Sequence, residues 1–275
     1  MLSLHTNAAA LSTQTSISNT QKMLSTSMTR LGSGYRVNSA MDDAAGLQIA
    51  TRLNAQTRGM AVAQRNTQNG ISMLQTAEGA LDEVSNILLR MKDLATEAAT
   101  ATASADDKSA MQKEFTALNS ELTNIMTNTK FGGQAVLSGG SFAASVTFQI
   151  GADAAETYAF NAATSMTAVT TNLGTVAGLD LTTGANGAIT SVNTAITAVG
   201  TLRSELGAAA NRLDHTYNNL ANMKTNTETS MGRIMDTNYA EESANMTAKQ
   251  MLMQAGTSML KQSSSMSGLV MSLLQ

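Results

Sequence analysis

Among its 275 residues the chain has no cysteine, no proline and no tryptophan. Without Cys there is no disulfide framework and no thiol chemistry, and the redox compartment stays unread. Without Pro there is no slow X-Pro isomerisation in folding, and helices are free to run on. Charged residues make up 13% and aromatics 3%, against about 25% charged in an average soluble protein. Leu, Met, Ile and Ala must therefore build a thin core. A net charge of −3 gives copies of the chain little mutual repulsion, which favours association. No basic face marks a nucleic-acid partner. No run of ~18 apolar residues exists to insert into a membrane. The stretch Met1 to Thr6 lacks a basic segment followed by an apolar one, so no cleaved secretory signal is expected, and export would need another route.

What is present is heptad periodicity. Leu74, Ala77, Leu81, Val84, Leu88, Met91, Ala95 and Ala98 form an unbroken 3-4 alternation, a narrow stripe that asks for a partner helix along its length. In the same phase backwards come Leu53, Gln56, Met60, Ala63, Thr67 and Gly70, a weaker continuation. A helix from near Asp42 to Ala98 would be on the order of 80 Å long. A second row, Val192, Val199, Leu206, Leu213, Leu220, Thr227 and Ile234, has uniform spacing of seven. Its companions are Ile189, Ile196, Ala210, Tyr217 and Met231, with Arg203 and Lys224 interrupting. The two rows predict an antiparallel pair within one chain.

Both ends carry thinner stripes: Ala10, Ile17, Leu24 and Leu31 with Met28, and Leu252, Met259, Met266 and Leu273. Most of what surrounds them is polar, and such stripes order only against a partner. Gly32 and Gly34 are expected to break the first helix, with Ser39 and Asp42 as a capping box restarting the next. Another helix is expected to start near Ser104 or Asp106, with its stripe at Met111, Phe115, Leu118, Leu122 and Ile125. Period-two alternation in Val146–Ile150 and Glu156–Phe160 predicts a β-hairpin. Residues 161–184, rich in Thr, Ala and Gly, read as a loop or small irregular cap.

Nothing in the sequence assembles a catalytic or metal constellation. His5 and His215 have no convergent ligands at metal spacing. Asp42-Asp43 and Glu241-Glu242 open helices, where a negative charge is stabilised by the dipole. Nucleophile-elbow, phosphate-loop and dinucleotide motifs are missing, and Gly132-Gly133 and Gly139-Gly140 read as turns. No enzyme activity and no cofactor are expected. Of the 19 Met many occupy heptad core positions, where they read as flexible filler.

Several long motifs resemble those of bacterial flagellins. One is Leu31-Gly-Ser-Gly-Tyr-Arg-Val-Asn-Ser-Ala-Met-Asp-Asp-Ala-Ala-Gly46. Another is Arg65-Asn-Thr-Gln-Asn-Gly-Ile-Ser-Met-Leu-Gln-Thr-Ala-Glu-Gly-Ala-Leu81. Near the far end come Asn238-Tyr-Ala, Gln254-Ala-Gly-Thr-Ser-Met-Leu260 and Leu273-Leu274. The resemblance covers about residues 1–140 and 185–275. It implies an extracellular filament subunit of the bacterial flagellum. Export would be unfolded through the flagellar type III apparatus, with assembly into a helical homopolymer. Flagellar cap and hook-junction proteins and a flagellin export chaperone are the implied partners. It further implies that Arg90, Leu94 and Glu114 match positions through which an innate-immune Toll-like receptor senses some members. On their own, Arg90 and Glu114 read equally as solvated charges between packed helices. Leu89 and Glu97 depart from the polar amides common there, Gly32 from the commoner Ser, and the usual C-terminal Pro is absent.

The expected architecture is mainly α: a long antiparallel coiled-coil rod with one β-hairpin, plus paired terminal helices. Residues 1–41 and 236–275 would form an inner terminal-helix domain, the filament core. Residues 42–160 and 185–235 would form the rod, with the hairpin near 145–160. Residues 161–184 would be a short surface segment in place of large outer domains. Polymerisation is assigned to Leu24, Met28, Leu31, Leu252, Met259, Met266 and Leu273, buried against neighbouring copies across interfaces that do not close. The rival readings are a hook–filament junction protein and a secreted coiled-coil effector or membrane-active translocator.

Overall fold

A computed structural model of the chain describes the backbone of residues 7–273 and the side chains of residues 7–266. Leu4, His5 and Leu274 lie outside the described residues, as do the side chains of Leu269 and Leu273. Among the described residues the helices are α1 (Ala8–Ser33), α2 (Ala44–Ala98), α3 (Ala105–Asn128), α4 (Ala163–Ala177), α5 (Leu181–Met235) and α6 (Tyr239–Leu273). The strands are β1 (Lys130–Phe131), β2 (Gln134–Ala135), β3 (Ser145–Gln149) and β4 (Thr157–Asn161). The chain divides into two compact units, Gln56–Thr225 and Met1–Ala55 with Asn226–Gln275.

In Gln56–Thr225 every seam residue from Leu74 to Ala98 is buried, and so are Val192, Val199, Leu206, Leu213 and Leu220. The pairing runs antiparallel. Glu78 meets Arg203, Gly70 lies against Leu213, and Met60 and Ala63 cluster with Leu220, so numbers rise on α2 as they fall on α5. The weak end of the α2 stripe is used as well. Thr67 is fully buried, and its Oγ1 donates to the Ala63 carbonyl at 2.8 Å, so no polar atom is stranded.

The companion row on α5 differs from the expected one. Ile189, Ile196 and Ala210 are only half-buried, while Leu181, Ala188, Ala195, Leu202 and Ala209 are buried. Small Ala side chains at three of these positions suit close approach of the two backbones. Arg203 therefore stands beside the seam and does not interrupt it. It reaches across to Glu78 Oε1 at 2.7 Å and Asp82 Oδ1 at 2.9 Å. The Glu78 carboxylate, foremost by its hydrogen bond, raises the Arg203 pKa above its ordinary value.

Helix α3 begins as its sequence indicates. Ser104 Oγ accepts from the Asp107 amide at 3.1 Å, and the Asp107 carboxylate accepts from the Ser104 amide and hydroxyl, which completes a capping box. Phe115, Leu122 and Met126 on α3 are buried. Residues 161–184 are not a loop. They hold helix α4 and the start of α5, because Met166, Val169, Leu173 and Val176 recur at helical spacing, three of them buried. Gln112 fastens α3 to the turn that follows α4: its Oε1 accepts from the Leu181 amide at 2.8 Å, and its Nε2 donates to the Leu179 carbonyl at 3.3 Å.

The predicted hairpin forms as β3–β4 in antiparallel register, Val146 opposite Phe160 and Phe148 opposite Tyr158. It needs Gly70 on α2, since a Cβ there would sit 3.0 Å from two Phe148 ring carbons. Arg212 of α5 lies over the Tyr158 ring at 4.3 Å, a cation–π contact. A second hairpin, β1–β2, turns through Gly132 and Gly133 at φ 58° and 85°. Two residues per strand are too few to show alternation in the sequence.

In the other unit, α1 runs through Gly32 and ends at Gly34, which takes φ 77° and donates its amide to the Arg30 carbonyl. Gly34 is thus the stop, and Gly32 is an ordinary helical residue. The expected Ser39–Asp42 capping box is also corrected. Asp42 closes a turn by accepting from the amides of Asn38 and Ser39, and these bonds, that from Ser39 first, hold its carboxyl below the usual range. The cap of α2 is Asp43, whose Oδ1 accepts from the Gly46 amide at 2.8 Å and whose carbonyl accepts from Leu47. The two interhelix joints meet through a Tyr35–Asp236 bridge. Around it the Arg36 amide donates to the Met235 carbonyl, and the Thr237 amide to the Gly34 carbonyl.

Candidate self-association surface

Helices α1 and α6 pair antiparallel. Asn7 Nδ2 donates to the Ser263 carbonyl at 3.2 Å, Ile17 lies against Gly256, Lys249 Nζ donates to Ser27 Oγ at 2.9 Å, and Arg30 pairs with Glu242 at 3.7 Å. The face that α6 turns to α1 follows from these contacts. Glu242, Lys249, Gly256 and Ser263 stand seven apart, with half-buried Met246, Met253 and Leu260 beside them. On α1 the facing residues are Thr13, Ile17, Thr20, Leu24, Ser27 and Arg30, all buried or half-buried. A Cβ at Gly256 would approach Ile17 Cγ1 to 2.9 Å, so this glycine sets the closeness of the pair.

The contact therefore mixes small and polar residues with Ile17, Leu24, Met246, Met253 and Leu260, and a second apolar row lies outside it. Leu252 is 62% exposed, Met259 67% and Met266 53%. On α1, Leu11, Met23 and Met28 are exposed too. Of the residues assigned to polymerisation, Leu24 is buried within the chain and Leu31 half-buried. Leu24 therefore has little surface left within this chain to offer another copy. Met28, Leu252, Met259 and Met266 remain uncovered. The inward face was legible in part, since Met246, Met253 and Leu260 recur at seven and Gly256 and Ser263 share the phase of Glu242 and Lys249 beside them.

Arg90 and Glu114 bind each other: Arg90 Nε and Nη2 both donate to Glu114 Oε1, at 2.9 and 2.7 Å. That bond, and then the charge of Glu114, raises the Arg90 pKa above its ordinary value. Leu94 is 2% exposed, not on an outer face, because α3 packs over that side of α2; Leu89 is the exposed residue there. The three line an open depression with Glu97, Thr102 and Met111. Among the described residues no cluster of three or more His, Cys, Asp or Glu is placed to hold a metal ion, and no helix is long and apolar enough to cross a membrane. His215 is exposed on α5.

Antiparallel helix pairs, two short hairpins and an exposed apolar row on α6 define a mainly helical protein. The profile of the bacterial flagellin N-terminal helical region matches residues 4–141, and that of the C-terminal helical region matches residues 189–274. The chain belongs to the bacterial flagellin family. It is 49% identical over 160 residues to Flagellin C of Vibrio cholerae serotype O1, a match covering 58% of this chain and 42% of that protein's length. The chain thus spans less than half the length of that curated relative. It is 35% identical to Flagellin A of Vibrio anguillarum across the whole of both chains, in an alignment of 379 positions. That alignment is longer than the present chain, as expected where large outer domains are lacking. A structure assigned to a flagellar hook-associated protein of Vibrio parahaemolyticus shares the fold, with a TM-score of 0.58, 15% identity, and coverage of 71% of this chain and 100% of that one.

Proposed function

We propose that the chain is a structural subunit that self-assembles into the flagellar filament used for motility, outside the cell. The observation that carries this reading is the row Leu252, Met259 and Met266. It is apolar, has heptad spacing, and is exposed on a helix whose other face is already paired. In a flagellin-family chain the occupant with the matching chemistry is another copy. Full burial of such a side chain releases about 1.5–3 kcal/mol, so burying the exposed part of these three contributes to offsetting the ~4–15 kcal/mol cost of fixing one subunit on a growing end. A contact of one patch with a different patch on the next copy does not close, and so generates an open helical polymer. Residues 1–41 and 236–275 would form the filament core.

Export unfolded through the type III apparatus, a chaperone covering α6 before assembly, and cap and hook-junction proteins at the two ends belong to the same reading. Arg90, Leu94 and Glu114 would meet the innate-immune receptor through the Arg90–Glu114 pair, with Leu94 beneath it as support. No catalytic step is assigned to any residue. Purified chain seeded with filament fragments should pellet and give long filaments in negative stain. A chain that stays monomeric under every seeding and salting condition would favour the hook–filament junction reading instead.

A further inference from the structure

All sulfur in this chain is thioether, 19 Met and no Cys, so a two-electron oxidant that attacks sulfur here attacks methionine. The fold sorts these thioethers sharply. Met60, Met91, Met126 and Met166 are buried, whereas Met259 and Met266 are exposed. Met23, Met28, Met41, Met223 and Met251 are exposed as well, but Met259 and Met266 are the two that stand with Leu252 in the outward row of α6. Met246 and Met253, on the side that faces α1, are half-buried. Oxidation follows exposure, and it turns a flexible apolar side chain into a polar, chiral one that disrupts Met-rich interfaces.

We propose that Met259 and Met266 are oxidation sites through which a peroxide reversibly blocks association of the outward face of α6. The inference rests on the reading of that face as the self-association surface. In the reaction one oxygen atom passes from hydrogen peroxide to Sδ: an S–O bond forms and the O–O bond breaks. The sulfur loses two electrons, and the peroxide leaves as water. Two sulfoxides seven residues apart then stand in one row, each holding water that must be stripped before a second copy can seat. Leu252 cannot be oxidised, so the row keeps one apolar anchor and loses two. Assembly covers the same sulfurs, so the sensitive state is the free subunit. A methionine sulfoxide reductase, with electrons from a dithiol, restores the thioethers.

The test treats the full chain with hydrogen peroxide, maps sulfoxides by mass spectrometry, and measures the concentration at which seeded material begins to pellet. Met259 and Met266 should oxidise before Met60, Met91, Met126 and Met166, and the pelleting threshold should rise about tenfold or more. Reductase treatment should return it to the starting value. The double variant Met259→Leu with Met266→Leu removes both sulfurs and conserves side-chain volume and helix propensity; whatever its own pelleting threshold, peroxide should raise that threshold far less than it does in the parent. Oxidised chain that pellets like untreated chain would overturn the inference, as would a double variant as sensitive as the parent. Untreated chain that never pellets would instead remove the self-association reading itself.

Discussion

Two heptad rows with the same spacing of seven meet opposite fates. On α5, Val192, Val199, Leu206 and Leu213 are buried, whereas on α6, Leu252, Met259 and Met266 are exposed. The α5 row faces the matching row of α2, and the core around it also takes in α3, α4 and the hairpins. Helix α6 has α1 beside it, and meets it through Glu242, Lys249, Gly256 and Ser263. A heptad row states that a helix has an apolar side. Which side its neighbour in the same chain takes depends on the whole face. On α6, Glu242, Lys249, Gly256 and Ser263 let the backbones approach and hydrogen-bond, with half-buried Met246, Met253 and Leu260 beside them. In α6 those residues win the intramolecular contact, and the apolar row is left for another molecule.

Truncation within the seam of Gln56–Thr225 should have the largest effect. Leu88→Ala removes a fully buried side chain and should cost ~2–5 kcal/mol, seen as a lower thermal midpoint by circular dichroism. A cost like that of an exposed site would break the contrast between the rows. Next is Gly70→Ala, whose added Cβ meets the Phe148 ring at 3.0 Å and Leu213 at 3.2 Å. Overpacking of this kind costs ~1–3 kcal/mol, and the hairpin amides should lose hydrogen-exchange protection.

A smaller effect belongs to the caps. Ser104→Ala should cost about 1 kcal/mol in the same melt. The Asp107 carboxyl is held below its ordinary value, first by the Ser104 hydroxyl, and Asp42 first by the Ser39 amide. Each folded value lies below the unfolded one, so the stabilisation is complete above about 3.8 and is lost as pH falls through the folded values. Melts at pH 6 and pH 3 should differ, and Ser104→Ala should remove part of that difference.

The sequence made the seam of α2, the hairpin β3–β4 and the start of α3 legible, because apolar spacing and capping chemistry are local signals. Three features were hidden for physical reasons. Helix α4 lies in a Thr- and Ala-rich stretch whose four spaced apolar residues carry its burial. The companion row of α5 is mostly Ala, which an apolar pattern weighs lightly beside Ile189 and Ile196. The inward face of α6 interleaves Glu242, Lys249, Gly256 and Ser263 with Met246, Met253 and Leu260, so its apolar content is diluted beside the outward row. Among the assigned association residues, Leu252, Met259, Met266 and Met28 are free within the chain, while Leu24 is taken up by the α1–α6 pair.

The central claim is that the outward row of α6 serves association between copies and contributes nothing to the stability of one copy. Seeded pelleting of Leu252→Ala with Met259→Ala, beside a thermal melt of the same sample, tests it most directly. Exposed positions of this kind change stability by within about 0.5 kcal/mol, so the melt should superimpose on that of the parent while the variant stays in the supernatant. A variant that pellets at the parent's threshold with an unchanged melt would contradict the claim.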